Sequence, residues 1–225
     1  MGSEQKEYQY GYLVEYGSRR GTFGHVFCGP PLLDGSDCPN CRKSLLQFLA
    51  LDTCDARLGL RSWRSPIVPL LFCWTCNLAH GPFTYHVSAA RVSLLRYKRG
   101  GVQAAFPYDG YPAAFPSAAA WLTPVSQPQS ETAARLNRGG EIDYSLPDWR
   151  EQDRLRHQIG GEPRLVQGHP PRRIHCPRCR AAMALFATVA DDCRDPRGFT
   201  GNSLVQVVYH RCDQCHVIGC YQQCD

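Results

Sequence analysis

No apolar run in this chain of 225 residues reaches the roughly 18 residues that a membrane-spanning helix needs. The longest candidate, 67–79, is short and carries Cys73 and Cys76 within it. The opening segment MGSEQKEYQYGYLVEYGSRR lacks the apolar stretch of a secretory signal, so the expected location is cytoplasmic, with no membrane partner. Met1-Gly2 begins a myristoylation pattern, but Lys6 stands where that pattern requires Ser or Thr. Catalytic signatures are missing too. There is no H-E-x-x-H, no G-x-S-x-G, no Walker loop and no G-x-G-x-x-G. The H-x-E segment that zinc deaminases use beside a C-x-x-C pair is also absent. His25 lies near Cys28, but no third group orients a thiol–imidazole pair. The chain therefore reads as non-enzymatic.

What the chain has is cysteine, thirteen in all. The number is odd and no secretory signal accompanies it, which argues against a disulfide framework. Eight of the thirteen fall in four C-x-x-C pairs: Cys38/Cys41, Cys73/Cys76, Cys176/Cys179 and Cys212/Cys215. Two intervening residues let one tight turn aim both sulfurs at a single point, and two such turns complete a tetrahedron around zinc. Pro39 and Pro177 suit the turn because their φ is already fixed. Four thiolates leave no open coordination position, so each site reads as structural rather than catalytic. Two zinc ions are expected, each supplying an apparent ~10–16 kcal/mol to folding. Cys28, Cys54, Cys193, Cys220 and Cys224 read as small buried apolar residues. His175, His210 and His216 flank the second site and read as neighbours of the ligands, not as ligands.

The cysteine pairs sit in a repeat. From first to third ligand the distance is 35 positions in one half and 36 in the other. After Cys41 comes RKSLLQFLALDTCD, and after Cys179 comes RAAMALFATVADDC. Upstream, Cys28-Gly29-Pro30-Pro31 stands about where Gly160-Gly161-Glu162-Pro163 stands. A duplication accounts for this, with 1–100 as the first zinc-binding half and 131–225 as the second. Between them, 101–130 reads as a Pro/Ala-rich linker or surface loop with little regular structure: the stretch 100–130 has five prolines, seven alanines and one charged residue, Asp109. Short apolar runs predict strands at 45–51, 67–72, 83–87, 183–189 and 204–210, with 91–97 leaning to strand. Ser145, Pro147 and Gly160-Gly161 bound the clearest predicted helix, 147–158. The fold class expected is α+β, mostly antiparallel β, in two duplicated halves that each carry a four-cysteine zinc knuckle or ribbon.

The formal charge of +5 hints at an acidic partner, but eight bound thiolates and two zinc ions bring it to about +1. Locally, Arg164, Arg172, Arg173, Arg178 and Arg180 follow one another with no acidic residue between them. That stretch reads either as a solvated loop or as a binding edge. Trp63, Trp74, Tyr108, Tyr111 and Trp121 are candidate interface anchors, or alternatively core.

The order of H157-QIGGEPRLVQ, CPRC, MALFATV and CDQC, echoed by CGPPL, CPNC, SLLQFLAL and CWTC, resembles the YwqG-like family of bacterial proteins. It is more distantly similar to the programmed cell death protein 2 family. Arg42 and Arg180 stand where that pattern often has glycine, and Cys28 replaces its first glycine. The resemblance implies a duplicated α+β architecture without catalysis, and a role in binding one protein partner. That partner would be a toxin neutralised by an immunity protein, or the client of a dedicated chaperone. A nucleic-acid-binding zinc ribbon is the alternative.

Overall fold

The computed structural model describes residues 10–19, 21–73, 83–97, 113–143, 145, 147, 149–167, 171–190 and 205–224. Eleven strands make up its sheet: β1 Tyr12–Gly17, β2 Val26–Phe27, β3 Leu46–Asp52, β4 Ile67–Phe72, β5 Phe83–Val87, β6 Val92–Arg96, β7 Ala118–Pro124, β8 Gln158–Ile159, β9 Ala184–Ala190, β10 Val205–Cys212 and β11 Val217–Cys224. Among the described residues two α-helices, α1 Gln127–Asn137 and α2 Trp149–Arg154, interrupt the strands. The sheet order is β4-β3-β2-β7-β1-β8-β9-β10-β11-β5-β6, and every pairing between named strands is antiparallel. The mostly antiparallel class expected from the apolar runs is therefore present, in a single curled sheet.

The predicted strands at 45–51, 67–72, 83–87, 183–189 and 204–210 lie within a residue or two of β3, β4, β5, β9 and β10, and β6 covers most of 91–97. Three elements depart from expectation. Within the segment read as a loop with little regular structure, Ala118–Pro124 is β7, at the middle of the sheet. Its alanines carry no strand signal, but Ala120 is fully buried between neighbours on both sides. Among the described residues the longest helix is α1, which the apolar pattern does not announce. Ser126 caps it by accepting from the Gln129 backbone while the Gln129 side chain accepts from the Ser126 N–H, a reciprocal box that satisfies two orphan donors. The predicted helix 147–158 shrinks to α2, because Gln158 and Ile159 are taken up as β8.

The same hydrogen-bonding pattern occurs twice. Cys28 N–H donates to Phe48 O, and Gly160 N–H donates to Phe186 O. Val26 and Phe27 pair with Ala50 and Leu49; Gln158 and Ile159 pair with Thr188 and Ala187. Each following ladder skips one residue, Phe48 in one and Phe186 in the other. Ala120 N–H donates to His25 O, and Val14 N–H donates to His157 O. The flanking strands are exchanged: β1 precedes the first set yet pairs with β8 of the second, while β7 pairs with β2 of the first. β1 and β7 then pair with each other, and Glu15 lies opposite Trp121 at the centre of that symmetric register.

Side chains alternate across the strands and so divide the core. Tyr12, Ile159, Ala187, Tyr209 and Cys220 face the main cluster with Phe27, Leu49 and Leu70. Val208 and Tyr221 face the other side, against Leu165, Ile174 and Met183. The outer edge of β4, at one end of the sheet, is closed by side chains instead of a further strand. Tyr85 Oη donates to Pro69 O at 2.8 Å and accepts from Leu71 N–H at 2.9 Å, while the Cys220 thiol reaches Leu71 O at 3.5 Å. Pro69 fits this edge because it has no N–H to leave unpaired.

Candidate metal centres

Each cysteine pair at the start of a half lies in a turn that local chemistry shapes. Cys38 N–H donates to Lys43 O at 2.9 Å and Arg42 N–H donates to Cys38 O at 2.7 Å. Cys176 N–H donates to Ala181 O at 2.9 Å and Arg180 N–H donates to Cys176 O at 2.8 Å. Isolated bridges, Asp37 to Ser44 and His175 to Ala182, close both turns at matching positions. Arg42 and Arg180 both take left-handed backbone, with φ of 59° and 63°. Glycine adopts that conformation without strain. Cys28, at φ 57°, likewise stands where Gly160 has φ 68°. Next to Gly160, a Cβ on Gly161 would lie 2.1 Å from Tyr10 O, so this close approach admits glycine alone.

The second cluster is complete. Ligand atoms of Cys176, Cys179, Cys212 and Cys215 all lie within 4.8 Å of one another. Cys176 and Cys212 are buried, and Cys179 and Cys215 are half-buried. Cys179 Sγ is 3.6 Å from Cys212 Sγ. A disulfide would need about 2.05 Å. Sulfurs at about 2.3 Å from a tetrahedral ion would stand about 3.8 Å apart. The observed separation matches the second geometry. In the first half Cys38, Cys41 and Cys73 come together, with Cys41 Sγ 3.7 Å from Cys73 Sγ. Cys76, the expected fourth member, lies outside the described residues, as do Cys193, Trp74, Tyr108, Tyr111 and the side chain of Cys224.

The thiols of the second cluster are electrostatically unequal. The Ala181 backbone N–H, ahead of neighbouring thiols, brings Cys179 down to about 7. Burial pushes Cys212 up to about 12 and raises Cys215 as well. A cation bound among the sulfurs would offset the charge that burial makes costly at Cys212 and Cys215. A site of this kind binds metal as it releases protons.

The remaining cysteines separate. Cys28 and Cys220 are buried, as expected of small apolar residues, but Cys54 is exposed. Of the flanking histidines, His175 is exposed and His210 is buried with Nδ1 3.4 Å from Met183 O. His216 is half-buried and stacks on Trp63 at 5.5 Å between centroids. Trp63 is not an exposed anchor: it is fully buried, and its Nε1–H donates to Asp213 Oδ1 at 3.1 Å, tying the first half to the loop of the second cluster. Trp121 is half-buried, with the Arg19 guanidinium 6.0 Å from its ring centre.

His25 is oriented by a carboxylate instead of by a thiol. Its Nδ1 accepts from Asp52 N–H at 3.0 Å, so Nε2–H donates to Asp55 Oδ2 at 3.0 Å. Arg57 Nη2 donates to the same oxygen at 2.7 Å. Burial alone would raise the Asp55 carboxyl. The hydrogen bonds from His25 and then Arg57 overcome it and hold Asp55 well below the usual carboxylate range. The Arg57 guanidinium also stacks over the rings of Tyr12 and Phe23, which roof the network. Nothing in the spacing of His25, Asp55 and Arg57 signals it.

No helix among the described residues is long and apolar enough to cross a membrane. No protein-family model, curated protein or solved structure matches this chain.

Proposed function

We propose that this chain is a non-enzymatic, cytoplasmic binding protein whose curled sheet is pinned by two structural zinc ions. The four converging sulfurs of Cys176, Cys179, Cys212 and Cys215 carry the reading. Cys38, Cys41 and Cys73 come together as the matching site, for which Cys76 is the expected fourth ligand. The recurring hydrogen bonds and the two skipped phenylalanines support a duplicated origin for the two halves. Closed thiolate sites leave no position for substrate or water, so each ion organises the loops around it and performs no chemistry. Each ion joins two turns distant in the chain and fastens the start of one strand to the end of its antiparallel partner, β3 to β4 and β9 to β10.

The test is elemental analysis of protein purified without chelator. Two zinc ions per chain are expected, and replacing Cys215 by Ser should remove one of them and unfold at least the second half. A metal-free protein with unchanged stability would overturn the reading. The partner suggested by the resemblance is a single protein, a toxin or a client. It predicts a stoichiometric complex recovered with the intact, zinc-loaded chain.

One observation favours a second reading, a nucleic-acid partner. The two turns match in backbone but not in charge. Around the first, Asp34 and Asp37 are not buried and stand beside exposed Arg42 and Lys43. Around the second, Arg172, Arg173, His175, Arg178 and Arg180 are all exposed, with no carboxylate among them.

A further inference from the structure

We infer that the face carrying the second cysteine cluster is a phosphate-backbone binding surface for nucleic acid, assembled from arginines of both halves. The inference rests on the nucleic-acid reading above and adds its location and composition. Four arginines come from the turn and its lead-in: Arg172, Arg173, Arg178 and Arg180, none of them buried. Two more come from the first half, Arg61 and Arg64, which flank buried Trp63 and are themselves exposed.

Contacts join these groups into one face. The Trp63 ring lies on His216, and His216 and Arg178 both act on His86 of β5, which burial and then these two neighbours hold below its ordinary value. Arg211, whose Nη1 donates to Leu58 O at 2.6 Å, fastens the same junction from beneath. Arg172 is held in place at the far end: its backbone N–H donates to Tyr221 Oη at 2.9 Å, and its guanidinium lies 5.6 Å from that ring's centre. The carboxylate within this face, Asp213, is already engaged by Trp63 and Arg211. Among the described residues no carboxylate pairs with the guanidinium of Arg61, Arg64, Arg173, Arg178 or Arg180.

Charge without apolar anchors distinguishes the kinds of partner. A protein interface needs a desolvated core of large side chains. Among the described residues the exposed large hydrophobic side chain is Leu32, which belongs to the first half's lead-in and not to this face. Phosphate binding needs no such core, because it is driven by release of counterions from the polyanion. Contacts of this type position a nucleic acid without reading its bases.

The experiment uses the full zinc-loaded chain and two labelled probes, an oligothymidine strand of about 16 nucleotides and a duplex of similar length. Anisotropy is recorded between about 50 and 200 mM salt. Binding is expected to weaken with a logarithmic slope of up to about −4 for the single strand if all six arginines engage phosphates. Replacing Arg173 and Arg178 by Gln should reduce that slope by about 1.4. Replacing Arg61 and Arg64 by Gln should do the same, and replacing Arg42 and Lys43 on the first turn should leave it unchanged. Zinc content and melting temperature of each variant establish that it is folded. No binding of either probe by folded, metal-loaded protein overturns the inference while leaving the zinc scaffold intact. Equal losses from the first-turn variant would also overturn it, by reducing the effect to overall charge. Tighter binding of an acidic polypeptide than of either nucleic acid would assign the face to a protein instead.

Discussion

Two buried tyrosines allow the closure of the sheet to be tested by a pair of identical substitutions with opposite expected signs. Tyr85 and Tyr209 are both fully buried, and burial raises the phenol of each well above its usual range. Tyr85 Oη serves two groups on the outer edge of β4, Pro69 O and Leu71 N–H. Tyr209 Oη has no hydrogen-bond partner among the described residues. Tyr85→Phe removes two hydrogen bonds, each worth about 1 kcal/mol net, and strands a buried donor and a buried acceptor at about 1–3 kcal/mol apiece. The Cys220 thiol remains on Leu71 O but does not serve the orphaned groups in their place. Allowing for relaxation, a loss of about 3 kcal/mol is expected. Tyr209→Phe removes a hydroxyl that was desolvated for no return, and should be neutral or stabilising by about 1 kcal/mol. Urea unfolding at fixed, saturating zinc measures both, since ligand concentration otherwise enters the apparent stability. In a scan the first variant should melt roughly 6–12 °C lower, at about 2–4 °C per kcal/mol for a chain of this size. Equal effects in the two variants, or a loss below about 0.5 kcal/mol for Tyr85→Phe, would refute the argument that this hydroxyl stands in for a missing strand.

Further outcomes follow from the backbone and from the buried carboxylate. Arg180→Gly relieves left-handed strain of about 1–2 kcal/mol at some cost in unfolded-state entropy, so chemical denaturation should show a change within about 1 kcal/mol. Arg180→Val puts a β-branched side chain at φ 63° and should destabilise clearly more, with weaker zinc retention in a competition titration. Asp55→Asn breaks a buried charge network and should cost about 3–5 kcal/mol near neutral pH. The sign with pH follows from the depressed folded value of Asp55. Its stabilisation is present above the unfolded carboxylate pKa of about 3.9 and is lost as pH falls below that value toward the folded one. Stability measured from pH about 5 downward should therefore fall more steeply in the parent than in Asp55→Asn, and parallel curves would refute the assignment.

The parts legible in the sequence share a local origin. C-P-N-C and C-P-R-C announce their turns because proline and a short spacer constrain the backbone where they stand. The runs LQFLALD, IVPLLF and VQVVYHRC are strands buried along nearly their whole length, so apolar character alone marks them. By contrast, the left-handed backbone at Arg42 and Arg180 is not visible in the same way, because arginine carries no preference for positive φ. AAAWLTP reads as loop because its pairing partners, not its composition, make it a strand. Trp63 reads equally as a surface anchor or as core, because the partner of its N–H, Asp213, lies 150 residues away.

The sequence by itself determined where the cysteine-bearing turns at Cys38 and Cys176 form and which segments are apolar enough to become strands. Tertiary structure decided which strands meet. The exchange of β1 and β7, the pairing of β11 with β5, and the capping of β4 by Tyr85 all depend on contacts outside each element's own segment. The reason is physical: a turn is set by dihedral preferences of adjacent residues, whereas a pairing is chosen by which arrangement buries apolar faces and satisfies backbone groups throughout the whole sheet.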